Sequence, residues 1–129
     1  MIEHVSVPAK NIAKAKKLYE NALKPLGYKL AQDYDDAAGF KADGHTSFWL
    51  VKHAKLTPIH VALRAKSRKA VGDFYRIARE HGAKDNGKPG YRDYSPGYYA
   101  AFVHDADGNN IEAVWFDPKK GKRGKKRRT

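Results

Sequence analysis

The chain of 129 residues nearly repeats itself, and an internal repeat constrains the architecture more than any other feature of the sequence. A strand-like segment with a histidine, Ile2 to Val7, opens the first copy, and a similar segment, Pro58 to Leu63, opens the second. His4 and His60 are 56 positions apart (60 minus 4). If the two copies pack about a pseudo-twofold axis, we expect the two histidines to converge on one site.

Hydrophobic periodicity predicts the same element order in both copies. In the first copy we expect strands at 2–7, 28–34, 37–41 and 46–51, and a helix of about 13 residues from Ile12 after an Asn11 N-cap. In the second we expect strands at 59–63, 98–104 and 110–116, a helix at 68–81 after Ser67, and an irregular stretch or short strand within 83–97. The predicted fold is α+β, with two tandem β-α-β-β-β modules forming a curved mixed sheet of about eight strands with helices outside.

The amino-acid composition excludes several classes of structure and function. The chain is 41% hydrophobic and 12% aromatic, which is typical of a globular domain. It contains no cysteine, which excludes disulfides, thiolate metal ligands and cysteine nucleophiles. No apolar run approaches the ~20 residues of a membrane span, and the N-terminus resembles a strand rather than a secretory signal, so a cytoplasmic protein is expected.

The net charge of +12 is concentrated at one end of the chain. Residues 118–129 contain eight Lys or Arg and no acid, which leaves about +4 (12 minus 8) for the other 117 residues. We therefore predict a single domain at 1–117, with modules at about 1–54 and 57–117, and a disordered basic tail at 118–129. Such a tail is capable of weak, non-specific polyanion binding, to nucleic acid or anionic head groups.

Three mid-strand side chains indicate a metal site. His4 and His60 lie at matching places in the repeat, and Glu112 lies in the apolar strand 110–116, where a carboxylate is costly unless it is paired or bound to a cation. Two histidines and one carboxylate suit a divalent ion such as Zn, Fe, Mn or Ni. Three protein ligands would leave positions open for water or substrate.

These segments give the chain its resemblance to a known family. The two His-Val strands, the helix with Leu18-Tyr19-Glu20 before Gly27, and Asp105-Ala106-Asp107-Gly108-Asn109-Asn110-Ile111-Glu112 resemble the vicinal oxygen chelate superfamily of glyoxalases, bleomycin resistance proteins and extradiol dioxygenases. The resemblance implies paired modules around a divalent metal, with His4, His60 and Glu112 as ligands. It also implies a homodimer, in which modules close within one chain or exchange with a second.

One departure from the glyoxalase pattern stands out. The resemblance implies a fourth ligand from the last strand of the first module, but Thr46-Ser47-Phe48-Trp49-Leu50-Val51 has no carboxylate there. Phe48 or Trp49 falls near that position. A three-ligand site is compatible with dioxygenase, isomerase or lyase chemistry, and also with a degenerate, weak site.

Aromatic and basic residues of the second module are candidates for the rest of the pocket. A tyrosine can donate a hydrogen bond to an oxyanion, so Tyr98 and Tyr99 are predicted catalytic residues. Trp49, Arg92 and Tyr94 are predicted to hold an aromatic or anionic substrate.

Three functions follow from these features. The first is a metal-dependent, glyoxalase- or dioxygenase-like enzyme acting on a small substrate whose vicinal oxygens chelate the metal. The alternative is a metal-free protein that binds and sequesters a small molecule, as the resemblance to bleomycin resistance proteins implies. The third is a nucleic-acid-associated protein that acts through its basic tail.

Overall fold

The computed structural model describes residues 2–53, 55 and 57–120. It contains the elements, in chain order, β1 Val5–Ala9, α1 Ile12–Ala22, a short 3-10 helix Lys24–Leu26, β2 Lys29–Asp33, β3 Ala37–Ala42, β4 His45–Lys52, β5 His60–Arg64, α2 Arg68–Glu80, β6 Lys84–Tyr91, β7 Tyr98–His104 and β8 Asn110–Phe116. The predicted α+β fold of two tandem β-α-β-β-β modules is confirmed.

The eight strands form two four-stranded sheets with the same topology. The strand order is β1-β4-β3-β2 in the first sheet and β5-β8-β7-β6 in the second. In each sheet the first strand pairs in parallel with the last strand of its module, and the remaining pairs are antiparallel. The first and last strands of each module are therefore neighbours, as the predicted site requires.

Both long helices begin at the predicted caps. The Asn11 side chain accepts a hydrogen bond of 3.0 Å from the Lys14 backbone N–H, and the Ser67 hydroxyl accepts one of 3.0 Å from Ala70. These bonds satisfy amides that have no partner within the helix.

A single apolar core joins the modules, since α1 and α2 pack together and residues of both sheets belong to one buried cluster.

Two predicted elements differ from the structure. The first strand begins at Val5 rather than Ile2, because its pairing with β4 starts at Val5 opposite Phe48. His4 therefore precedes the strand. The stretch predicted to be irregular contains an eight-residue strand, β6, whose pairing with β7 is interrupted by two bulges.

The predicted basic tail lies outside the described residues, except for 118–120, which form a helical turn after β8. Within the described part of the chain, none of the helices has the length and apolar character needed to cross a membrane.

Candidate functional site

The second sheet carries apolar residues on both faces. On β7, Tyr99, Ala101 and Val103 belong to the main core, which includes residues of α2. The alternate residues Ala100 and Phe102 form a separate cluster. Because successive side chains of a strand point to opposite faces, this second cluster lies on the face away from α2. We call it the open face because it is turned away from α2, and define it by Tyr98, Ala100, Phe102, Glu112 and Val114. All of these except Tyr98 are at most 7% exposed.

Glu112 is a buried carboxylate on the open face. It is only 1% exposed, and it lies opposite Phe102 on β7 and Ala62 on β5. Its Oε1 is 2.8 Å from Nε2 of His60, and its Oε2 accepts a hydrogen bond from the Tyr98 hydroxyl. Both carboxylate oxygens thus have a partner, which offsets the cost of burying the group.

His60 is the member of this cluster that a ligand can reach. Its side chain is 53% exposed, whereas that of Glu112 is 2% exposed. An ionised carboxylate only accepts hydrogen bonds, so with a neutral ring this contact corresponds to the His60 tautomer that carries its proton on Nε2 and a lone pair on Nδ1. A buried acid that orients an accessible imidazole in this way is an arrangement suited to proton transfer.

Tyr98 binds the second carboxylate oxygen of Glu112. Burial, followed by the hydrogen bond and negative charge of Glu112, raises the pKa of the Tyr98 hydroxyl far above its ordinary value. The hydroxyl therefore stays protonated at neutral pH and acts as a donor. The Tyr98 ring also contacts Phe116 and Tyr94, with centroid distances of 5.3 and 5.1 Å.

Strand register identifies the residue of the first module that corresponds to Glu112. Ala62 faces Glu112 in the second sheet, and Ser6, its counterpart 56 positions earlier, faces Trp49 in the first. Trp49 therefore takes the place of the carboxylate. Its ring packs over Gly39, where an added Cβ would lie 2.9 Å from the ring. In the second sheet the larger residue of the pair is on the other strand, because Phe102 on β7 lies opposite the smaller Glu112 on β8.

His4 lies apart from this cluster. Its Nδ1 contacts the carboxylate of Glu3, and the same carboxylate is 3.1 Å from Nε2 of His45. His4 and Glu3 are both exposed.

The residues as placed do not fit the predicted three-ligand metal set. The 2.8 Å between His60 and Glu112 is close to the ~3 Å that separates neighbouring ligand atoms on one ion. Two ligands do not make such a site, however, and Trp49 offers no metal donor. Among the residues described, no group of three or more His, Asp or Glu side chains is placed to hold a metal ion. The set His4, His60 and Glu112 stays a prediction.

The other predicted pocket residues are distributed over both faces. Tyr99 points to the α2 side and is 7% exposed, so one strand directs Tyr98 and Tyr99 to opposite faces. The guanidinium of Arg92 lies 5.4 Å from the Phe102 ring centroid and donates to two backbone carbonyls of β6. Tyr94 is 64% exposed at the rim. Of the two predicted catalytic tyrosines, only Tyr98 contacts Glu112.

The segment Asp105 to Asn109, which precedes β8, also joins the modules. Asp105 accepts hydrogen bonds from the Tyr19 hydroxyl at 2.6 Å and from the Asn109 amide at 2.8 Å. That amide also donates to the Pro8 carbonyl, while the Asn109 side-chain oxygen accepts from Ile59 N–H. The sequence gives no local sign of the bonds from Tyr19, Ile59 and Pro8, because their partners lie 50 to 101 positions away.

The profile of the Glyoxalase/Bleomycin resistance protein/Dioxygenase superfamily matches residues 1–113. A glyoxalase/bleomycin resistance protein from Albidiferax ferrireducens is 22% identical, with a TM-score of 0.76 over 88% of this chain and 96% of that chain. A lactoylglutathione lyase from Agrobacterium tumefaciens is 14% identical, with a TM-score of 0.68 over 89% of this chain and 92% of that one. None of the curated proteins matches the chain significantly in sequence. At these identities the structures show a shared fold.

Proposed function

Because the chain belongs to the Glyoxalase/Bleomycin resistance protein/Dioxygenase superfamily, we propose that it binds a small molecule at the open face and moves a proton to or from it through His60. The observation that supports this best is the buried Glu112 carboxylate bonded to a half-exposed imidazole. A lyase or isomerase that acts beside a carbonyl group needs a base of this kind.

Each member of the cluster has one role in this proposal. The Nδ1 of His60 takes a proton from the hydroxyl-bearing carbon next to the substrate carbonyl, which leaves an enediolate. The resulting imidazolium returns that proton to the former carbonyl carbon, while the hydroxyl proton passes to the neighbouring oxygen. Glu112 orients the ring through Nε2 and stabilises the positive charge that develops on it. Tyr98 donates to the second oxygen of Glu112 and fixes the direction of the carboxylate.

The surroundings of His60 indicate the substrate class. The His60 and Phe102 ring centroids are 6.3 Å apart, and the buried side chains of Ala100 and Val114 lie on the same face. Ala62, beside His60 on β5, is exposed, so this edge of the open face is accessible. We propose a small substrate with two neighbouring oxygens and an apolar part.

The metal-dependent activity expected from the sequence requires a further ligand. Members of the superfamily commonly bind divalent metal ions. In this chain His60 and Glu112 contact each other, while His4 contacts Glu3. The proposed proton transfer therefore uses the imidazole and the two groups behind it.

A second candidate function is metal-free binding and sequestration of a small molecule. Trp49 favours it, because a large aromatic ring stands where the repeat would otherwise place the counterpart of Glu112. An indole ring supplies contact area for an aromatic ligand and no metal donor. The homodimer expected from the sequence belongs to both proposals.

Hydrogen exchange in a small hydroxy ketone tests the proposal. Hydroxyacetone has neighbouring oxygens and exchangeable protons beside its carbonyl, and its deuteration in D2O is followed by proton NMR. We expect the protein to accelerate exchange, and His60→Gln to reduce the acceleration by about 100-fold or more. His53→Gln, a substitution of another exposed histidine, is the matched control and should behave as the wild type.

Two outcomes would overturn the proposed proton transfer. Exchange that is no faster than in buffer, with hydroxyacetone resonances still broadened by binding, would favour sequestration. Acceleration that survives His60→Gln would place the base elsewhere.

A further inference from the structure

A guanidinium group occupies the open face at the edge strand of the second sheet. Gly87 on β6 lies opposite Phe102 on β7, and Phe102 lies opposite Glu112 on β8. A Cβ at Gly87 would lie 2.9 Å from the Phe102 ring and 3.1 Å from Nη2 of Arg92. The Arg92 guanidinium therefore fills the place of a side chain at position 87, on the same face as Phe102 and Glu112.

The backbone of β6 is shaped around this guanidinium. Its pairing with β7 is interrupted on both sides of Gly87, which has a φ of +148° that other residues rarely adopt. The Arg92 side chain donates hydrogen bonds of 2.8 Å to the carbonyls of Gly90 and Lys88. A Cβ at Gly90 would lie 3.2 Å from Nη1, so both glycines leave room for the same group. The strand thus holds the guanidinium over the Phe102 ring.

The positive charge of Arg92 is available to a ligand. No ion pair joins this side chain to an Asp or Glu side chain over residues 2–53, 55 and 57–120. A guanidinium has five N–H donors, so its bonds to two carbonyls leave others for a ligand. Arg92 is also half-buried, and a cation in such a place attracts an anion more strongly than a fully solvated one does.

The guanidinium and the proposed base are held against the same ring. The Arg92 guanidinium is 5.4 Å from the Phe102 centroid, and the His60 centroid is 6.3 Å from it. In the order of the strands, β6 presents the cation on one side of Phe102, and β8 presents Glu112 with its bond to His60 on the other. A small molecule that lies across Phe102 can therefore contact both groups.

We propose that Arg92 anchors a carboxylate of the substrate, so that the open face accepts a hydroxy ketone joined to a carboxylate by a short methylene chain. This inference rests on the proposed proton transfer at His60. The planar guanidinium matches the two oxygens of a carboxylate. The methylene groups would pass over Phe102, and the hydroxy ketone would lie beside His60. The apolar part of the substrate and its anionic end thus have separate contacts.

Deuterium exchange with two matched substrates tests the proposal. The first is δ-hydroxylevulinate, which has a hydroxy ketone at one end and a carboxylate at the other. The second is the neutral N-methyl amide of the same acid. Exchange of the protons on the hydroxyl-bearing carbon is followed in D2O by proton NMR. We expect kcat/KM of the wild type for the acid to exceed that for the amide about 10-fold or more.

Substitution of Arg92 should remove this preference. Arg92→Gln should lower kcat/KM for the acid about 10- to 100-fold and for the amide no more than about 3-fold. Arg76→Gln, at an exposed arginine of α2, removes the same charge elsewhere and should leave the preference unchanged. Gly90→Ala keeps Arg92 but crowds its Nη1, so we expect an intermediate loss for the acid. Circular dichroism checks that each variant is folded.

Two results would overturn the proposal. One is equal exchange of the acid and the amide by the wild type. The other is an equal loss for both substrates in Arg92→Gln, which would make Arg92 a structural support of β6.

Failure of the proposed proton transfer gives a different result, which is exchange of neither substrate. Titration of the protein with δ-hydroxylevulinate, followed by NMR, then tests the anchor by itself. Binding that is weakened at least about 10-fold in Arg92→Gln would support the carboxylate contact, and unchanged binding would overturn it.

Discussion

The hydroxyl of Tyr19 donates a hydrogen bond of 2.6 Å to Oδ2 of Asp105, although the two residues are 86 positions apart and belong to different modules. Tyr19 is 2% exposed and Asp105 is 7% exposed. The bond therefore closes the two modules of one chain on each other at a position from which water is largely excluded. It links the first helix to the turn that precedes β8, the strand that carries Glu112.

Removing the Tyr19 hydroxyl should destabilise the protein. In Tyr19→Phe the ring still fills its place beside Phe48, with a centroid distance of 5.2 Å in the native protein, but Asp105 loses a donor. We expect the free energy of unfolding to fall by about 1–3 kcal/mol in urea denaturation. Tyr34→Phe, which removes the hydroxyl of an exposed tyrosine bonded to Gln32, should change it by less than about 0.5 kcal/mol. Equal changes in the two variants would show that the bond between Tyr19 and Asp105 contributes nothing to the free energy of unfolding.

Alkaline pH should weaken the fold through the same residue. Burial, and after it the negative charge of Asp105, raises the pKa of Tyr19 well above its ordinary value. Above about pH 10 the unfolded chain loses the Tyr19 proton and the folded chain keeps it, so the free energy of unfolding falls as pH rises. Urea denaturation between about pH 8 and 11 should show this decline, and Tyr19→Phe should make it shallower. If the free energy of unfolding of Tyr19→Phe declines with pH as steeply as that of the wild type, Tyr19 is not the group responsible.

The position opposite Trp49 should tolerate no side chain. A Cβ at Gly39 would lie 2.8 Å from Thr46 and 2.9 Å from the Trp49 ring, and both contacts are too close. Gly39→Ala should therefore destabilise the protein by about 1–3 kcal/mol and shift the fluorescence of Trp49 as the ring moves.

Gly72→Ala is the control for Gly39→Ala. Gly72 lies in α2, and a Cβ there would meet nothing within 4 Å. The same substitution should stabilise the helix by up to about 1 kcal/mol. Opposite signs for the two variants are expected, and a stabilising Gly39→Ala would show that Trp49 does not pack over the glycine.

Tyr98→Phe should disturb Glu112 without unfolding the domain. The substitution removes the donor to Oε2 and leaves a buried carboxylate oxygen without that partner. A loss of about 1–3 kcal/mol in the free energy of unfolding is expected from urea denaturation. Tyr94→Phe, at a tyrosine 64% exposed on the same rim, should have almost no effect. If both variants match the wild type, Tyr98 does not hold Glu112.

Local patterns predicted most of the fold. Asn11 and Ser67 cap their helices as expected, because a capping side chain and the amide it binds are three residues apart. The apolar runs of β7 and β8 identified those strands. The start of β1 was predicted wrongly, because it depends on where β4 begins to pair with it at Phe48.

Only part of the candidate site could be predicted, because the rest depends on where strands end and on their register. The repeat implies that β5 and β8 pair in parallel, and this pairing places His60 and Glu112 close together on neighbouring strands. The separation of His4 from them depends on the end of a strand, and the bond between Tyr98 and Glu112 depends on the register of β7 against β8. The sequence places Phe48 or Trp49 near the position of the fourth ligand, and only the pairing in both sheets matches Trp49 with Glu112.

The metal content of untagged protein, purified without chelators, distinguishes a bonded His60–Glu112 pair from a three-ligand metal site. The wild type, His60→Ala and His4→Ala are compared by elemental analysis, before and after incubation with Zn, Fe, Mn or Ni. Because His60 and Glu112 bond to each other and His4 lies with Glu3, we expect far less than one ion per chain in all three proteins. One ion per chain in the wild type, lost in both variants, would contradict it and establish the three-ligand metal site.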